Sequence, residues 1–582
     1  MHTENVTGEI YGLLREWADG LLRLQIDNPA CSSLHGAILC PACKTVHGRC
    51  HEAVYPLMYM AQATGEEKYL KAARRLFAWG GNMVCTDGAV RNDAKSEWKG
   101  VTVFAAVALH DALYYHGSLL SLQEKTEWEN RLSNMGSWLY KNLRANTPAY
   151  INYYAANACA MALLGRYFNR TEYTDLAGEL FAFCMRCVTE NGLIYGEGRP
   201  TDAVTPKGCR AMDPGGYNVE ETLPMLYRYA VVLQDVAALR SVRDLYLAHL
   251  EWMLPDGAWD DSVGTRGFKW SYWGSRTADG CQEALFGLGK TEPVFAEAAL
   301  RNLRLYRRCT HEGLLYGGPD YSVHGEPACV HHTFCRMKTL AAVLESGVSG
   351  FSRSQLPGET APAYKYYAEL DTVKITFGGW IADVTGYDFP CKSGKHASGG
   401  ALSLLWHQTA GPIIAVGAMD HALREPHNQQ LPVTGEDTRC PCPRIEAKIN
   451  GTLFFQHTDA GARISQSGSA DAVCVKVNAC LCTMEHVRAP EYGDCTLEYT
   501  FAKDTVDIRG CVPFAIAENA RSSLPLIGTR ADVRVMQGKT DGGSVPWFHL
   551  NPGFMGREYT ILPDADGCFA VRIYITEEGE PV

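Results

Sequence analysis

The chain has 582 residues, 46% hydrophobic and 20% charged, with a net charge of −11 and a pI near 5.9. That length calls for more than one hydrophobic core and points to two large domains. The acidic balance argues against nucleic acid or an anionic membrane as partner, while an acidic sugar held by a few local cations stays compatible with it.

The first 26 residues read as an amphipathic helix (Ile10, Leu13, Leu14, Trp17, Leu21, Leu22) without the basic and apolar regions of a secretory signal. No apolar run reaches the length of a membrane span. The 22 cysteines are scattered, and the expected setting is a cytoplasm with reduced thiols. A tight group follows in Cys40-Pro41-Ala42-Cys43-Lys44-Thr45-Val46-His47-Gly48-Arg49-Cys50-His51. Cys40, Cys43, His47 and Cys50 come close to the spacing of a structural zinc site, completed by Cys31 or by a residue from elsewhere. Two alternatives compete: chance clustering in a cysteine-rich chain, or His47, Arg49 and His51 lining a cleft.

From the start to about residue 346 nearly every segment carries a helical period, and twelve helices are predicted. Helices joined by alternating short and long loops, with no strands between them, suggest six hairpins in a ring. The expected fold is an (α/α)6 toroid over 1–346, in which the long loops gather at one end. Residues 347–362 read as a linker rich in Gly, Ser and Pro. Beyond it, segments such as Thr372-Val373-Lys374-Ile375-Thr376-Phe377 and Leu497-Glu498-Tyr499-Thr500-Phe501 alternate in polarity, so 363–582 is expected to form an antiparallel β-sandwich. Its unpaired edges would allow a homodimer.

Three loops concentrate the chemistry. Gly215-Gly216-Tyr217-Asn218-Val219-Glu220-Glu221 turns into a helix, as do Trp270-Ser271-Tyr272-Trp273-Gly274-Ser275-Arg276-Thr277-Ala278-Asp279 and Gly317-Gly318-Pro319-Asp320-Tyr321, the last ahead of His331-His332. Hydrolysis of a glycoside needs a carboxylic acid to protonate the leaving oxygen and a second group to activate water or attack carbon. Adjacent glutamates cannot face each other across a substrate, so Glu220 or Glu221 is expected to pair with Asp279. The structural alternative is that both are charges favoured at a helix start. Tyr217, Tyr154 and Tyr321 could instead transfer protons in a uronate elimination, or simply stack on sugar. Arg276 and Arg199 are the expected grip on a substrate carboxylate, because the guanidinium fork matches it bidentately. Asn218, Trp273 and His331 complete the expected sugar-contacting set in the toroid. In the β-domain, His396 sits in the polar turn from Gly394 to Leu404, and a loop of this domain is expected to cap the cleft.

The layout, and the residues from Gly394 to Leu404 in particular, resemble the heparinase II/III-like enzymes, polysaccharide lyases built from a helical toroid and a β-sandwich. In those lyases the β-domain strand opens with His-Ala-His-x-Asp, where this chain has His396-Ala397-Ser398-Gly399-Gly400. Their toroid carries Asn-Asn-His, where this chain has Asn152-Tyr153-Tyr154. These departures make the chain more similar to the β-glucuronidases of glycoside hydrolase family 154, which share the architecture. That resemblance implies exo-acting removal of a terminal uronic acid from an oligosaccharide, with no cofactor needed for catalysis. The alternatives are an oligo-uronide lyase using Tyr217 or Tyr154, and a sugar-binding toroid without catalysis.

Overall fold

The computed structural model describes residues 3–93, 96–198, 202–348, 352–389, 396–417 and 441–576. Its N-terminal part is a closed ring of helix pairs: α1 (Thr3–Leu24), α2 (Val54–Thr64), α3 (Glu67–Gly80), α4 (Thr102–His116), α5 (Leu122–Asn142), α6 (Ile151–Tyr167), α7 (Thr171–Met185), α8 (Leu223–Leu233), α9 (Val236–His249), α10 (Gln282–Leu288), α11 (Pro293–Arg308), the single turn α12 (Tyr321–His324) and α13 (Val330–Ser346). The inner ring is α2, α4, α6, α8, α10 and α13, each packed on the next, with α13 returning to α2. The pairing of α13 with α1 closes the circle.

Sequence decides which helix goes where. The α4 segment TVFAAVALHDALYYH is apolar nearly all round and is buried on almost every face. A helix without a polar face belongs inside a larger assembly. In contrast, α3 buries Tyr69, Ala72, Ala73, Leu76 and Phe77 on one stripe and turns its Lys, Arg and Glu residues outward. Because each outer helix carries the chain back, all six inner helices run the same way and their N-termini meet at one end of the ring. The positive ends of their dipoles therefore converge there, a setting that favours an anionic ligand.

From Tyr364 onward the described chain forms antiparallel sheets. One has five strands, including Thr372–Phe377, Trp380–Thr385 and Ala401–His407. A six-stranded sheet holds Ala472–Cys480, Asp494–Ala502, Thr505–Cys511 and Cys568–Ile575. The third is built around Ala520–Ile527 and Phe554–Leu562. Alternation along Asp494–Ala502 sends Cys495, Leu497, Tyr499 and Phe501 into a common core with Val475, Val477 and Ile573. The fold is a helical toroid followed by an antiparallel β-sandwich. Not every cysteine is a reduced thiol, as Cys511 and Cys568 face each other on neighbouring strands and are joined as a disulfide. Among the described residues no helix is long and apolar enough to cross a membrane.

Buried charge ties the two domains together. Lys374 of the first sheet donates to Asp260 of the toroid at 2.6 Å and to Asp383 at 3.1 Å. At a second contact, Arg276 and Tyr321 of the toroid both reach the carbonyl of Leu550.

Candidate active site at the toroid mouth

The mouth is formed where the inner helices begin. The chain enters α8 through a widened turn over Asn218–Thr222, a local distortion often found where a helix serves a site. Its approach is held very close to neighbouring carboxylates. A Cβ on Gly216 would sit 2.3 Å from an oxygen of Asp213, so only glycine fits. Asp213 is the anchor here: it accepts the backbone N–H of Tyr217 at 2.6 Å and that of Arg266 at 3.2 Å. It thereby fixes two residues from different loops against each other.

The phenol of Tyr217 meets the hydroxyl of Thr277, and the Lys269 ammonium donates to the phenolic oxygen at 3.0 Å and to Thr277 Oγ1 at 3.1 Å. The Arg266 guanidinium lies 5.0 Å from the centre of the Tyr217 ring and donates to Glu197 at 2.9 Å. Negative charge developing on that oxygen would be stabilised by the neighbouring ammonium. Thr277 links this group to a second one, since its carbonyl accepts from Arg49 at 3.1 Å. Arg49 also pairs with Glu52 at 2.6 Å and with Asp279 at 3.1 Å, and Lys338 completes the square by bonding Glu52 and, at 2.7 Å, Asp279. Burial alone would oppose ionisation of Glu52, yet Arg49 and Lys338 outweigh it and hold this carboxyl down at about 2. Glu221 accepts the backbone N–H of Asp279 at 2.7 Å. Burial first, and then the Asp279 carboxylate, hold its own carboxyl well above the usual range.

His331, at the start of α13, is buried beside this cluster with neither ring nitrogen bonded within the described chain. Burial, followed by the charge of Arg49, pushes it well below the ordinary histidine value, so it is a neutral imidazole. Outward lies an aromatic rim. Trp98, 45% exposed, donates to the Tyr153 hydroxyl at 2.9 Å, and Tyr153 packs on Phe104, over which Arg49 sits at 4.4 Å. A half-open tryptophan presents a large apolar face with a polar N–H at its edge.

Of the residues singled out by sequence, Tyr217, Asp279, Glu221 and His331 share this mouth. Glu220 does not open onto it: its carboxylate is bonded to Arg336, to the Ser275 N–H at 2.5 Å and to Tyr306 at 3.2 Å, deep in the ring. Asn218 donates to the Ile194 carbonyl at 2.6 Å, which pins a loop. Trp273 is buried with its N–H on the Tyr316 carbonyl at 2.8 Å, and Tyr154 bonds the loop from Thr147 to Ala149. Arg276 and Tyr321 are at the domain junction described above. His396 donates within its own domain, to the Tyr387 carbonyl at 2.9 Å, and burial lowers it to about 4. Arg199 lies outside the described residues. Lys269 and Arg266 escaped sequence reading because they precede the aromatic loop; their signal was two cations in an otherwise Gly- and aromatic-rich stretch.

The proposed metal ligands need one correction. Cys40, Cys43 and His47 do come together, but the fourth member is Cys329, with all four ligand atoms within 4.8 Å of one another. Cys50 is buried apart from them, where burial pushes its thiol up to about 12.

Comparison with known proteins agrees with the architecture and changes the chemistry. Residues 14–357 match the family described as the ulvan lyase N-terminal domain, and residues 364–540 match the ulvan lyase C-terminal domain. A Formosa agariphila protein named broad-specificity ulvan lyase is 39% identical over 538 residues, 90% of this chain and 83% of its own. The chondroitin AC lyase of Streptomyces coelicolor A3 superposes with a TM-score of 0.53 at 12% identity, covering 98% of this chain and 80% of that one, which bears on fold alone. A lyase relative at this identity overturns the expected glycoside hydrolase and its β-glucuronidase specificity; of the expected carboxylates, Glu220 is also held in a buried ion pair with Arg336. With both halves of the chain matched, it belongs to the ulvan lyase family.

Proposed function

We propose that this protein is a polysaccharide lyase that cleaves an ulvan-type, uronate-containing polysaccharide by β-elimination. The reaction removes the C5 proton beside the uronate carboxylate, breaks the C4–O4 bond, protonates the departing oxygen and leaves a C4–C5 double bond. It needs a proton-transfer group, a charge partner for the carboxylate and exclusion of competing water. The observation that carries the reading is the Tyr217 phenol with the Lys269 ammonium on its oxygen and Arg266 against its ring. In this reading Tyr217 moves the proton, Lys269 and Arg266 meet the charge that develops, and the converging inner-helix N-termini favour the bound anion. His331, neutral and buried, is a hydrogen-bonding partner for the sugar, and Trp98 is its stacking surface. The Cys3His cluster has a structural role, because four protein ligands leave no open position for substrate.

Ulvan incubated with the purified chain is expected to give rising near-ultraviolet absorbance together with new reducing ends. New reducing ends without the chromophore would restore hydrolysis and sink the elimination mechanism.

A further inference from the structure

We propose that Cys40, Cys43, His47 and Cys329 bind a structural zinc ion that clasps the ring shut. The geometry is specific. Zinc–thiolate bonds of about 2.3 Å arranged tetrahedrally place sulfur atoms about 3.8 Å apart. Here Cys329 Sγ lies 3.7 Å from Cys40 Sγ, 3.8 Å from Cys43 Sγ and 3.6 Å from His47 Nε2. These separations are too long for a disulfide, and none of the three cysteines is in one. The local backbone is built for a metal as well. Leu39 and Val46 pair across a tight hairpin, Lys44 takes a left-handed φ of 54°, and the Cys43 N–H donates to Cys40 Sγ at 3.3 Å. A backbone N–H on a sulfur stabilises the thiolate form that zinc requires. All four side chains are buried, so a metal there would be closed off from substrate.

The clasp would join distant parts of the chain. Three ligands come from the loop between α1 and α2, and the fourth immediately precedes α13, 289 residues after Cys40. These are the two segments whose meeting closes the toroid. A link across so long a loop removes conformational freedom from the unfolded chain and holds the N-terminal loop, with Arg49 two residues beyond His47, against α13.

The test is metal analysis of the full chain purified without chelator. About one zinc per chain is expected. Cobalt(II) exchanged into the protein should give the intense thiolate charge-transfer band and the visible absorption of a tetrahedral site. Cys329→Ser should lose the metal and lower Tm by roughly 10 °C, whereas Cys50→Ser should retain it. Absence of zinc, combined with no thiolate-to-cobalt band on reconstitution of the parent protein, would overturn the proposal even if Cys329→Ser fails to fold. Undiminished zinc in a folded Cys329→Ser would overturn it equally.

Discussion

Two sites at the opening of α8, only three residues apart in sequence, treat polar groups in opposite ways. Around Glu220 the carboxylate is met by the Arg336 guanidinium, a backbone N–H and the Tyr306 hydroxyl, and the group is wholly enclosed. Around Tyr217 the phenol is met by an ammonium and a hydroxyl, at the wall of the mouth. The first arrangement fixes charge in place and the second can exchange a proton. Proximity to a cleft and acidic character are therefore weak guides to catalysis; what matters is whether the partner of a polar group has already neutralised it.

Tyr217→Phe breaks the comparison at its reactive side. It removes one oxygen from a packed ring, so the fold should survive while kcat falls about 10³-fold. Initial rates of near-ultraviolet absorbance on ulvan, normalised to folded protein, measure this. A variant retaining most of its rate would remove Tyr217 from proton transfer.

Glu220→Gln tests the other side. Replacing the carboxylate leaves Arg336 buried with a weakened partner, a loss of about 3 kcal/mol in unfolding free energy. The rate per folded molecule should stay within about one order of magnitude of the parent. Urea unfolding followed by fluorescence, alongside the same rate assay, separates the two readouts. A stable variant with no turnover would reverse the assignment and make Glu220 chemical.

The contrast also explains what the sequence shows and what it conceals. Uniformly apolar α4 and one-sided α3 announce inner and outer layers in their composition alone, so the ring is legible. Strand alternation such as Leu497, Tyr499 and Phe501 is equally plain. Charge pairing is not, because Arg49 finds Asp279 across 230 residues and Cys40 finds Cys329 across 289. Glu220 and Glu221 look equivalent in one dimension, yet one is locked to Arg336 and the other faces Asp279. No local pattern encodes those meetings, which follow from closing the ring.

A milder change sharpens the outer boundary of the reactive region. Trp98→Ala removes the exposed ring at the rim without touching the Tyr217 group. If the ring stacks on sugar, KM should rise about tenfold with kcat little changed. A loss of kcat at constant KM would instead mean that Trp98 orders the loop beneath it, through its bond to Tyr153.

The smallest effect probes the quiet side through pH. His249 donates through Nδ1 to the Leu245 carbonyl at 2.8 Å, lies 3.3 Å from the Asn218 amide, and is lowered by burial to about 4 from its ordinary 6.5. The unfolded chain therefore binds this proton near pH 6.5, while the folded chain resists it until about pH 4. Between those values the unfolded state carries more protons, so stability must fall as pH falls. For one such histidine the loss between pH 6.5 and 5.5 is about 1 kcal/mol. His116 and His396, likewise lowered to about 4 by burial, add in the same direction. His249→Gln should be less stable at neutral pH but should show a shallower decline over that interval, by about 1 kcal/mol. An unchanged slope would mean that the imidazole gains a proton without unfolding. The packing that isolates the Asn218 turn from the mouth would then be looser than the fold implies, and the division between a fixed and a reactive side of α8 would lose its basis.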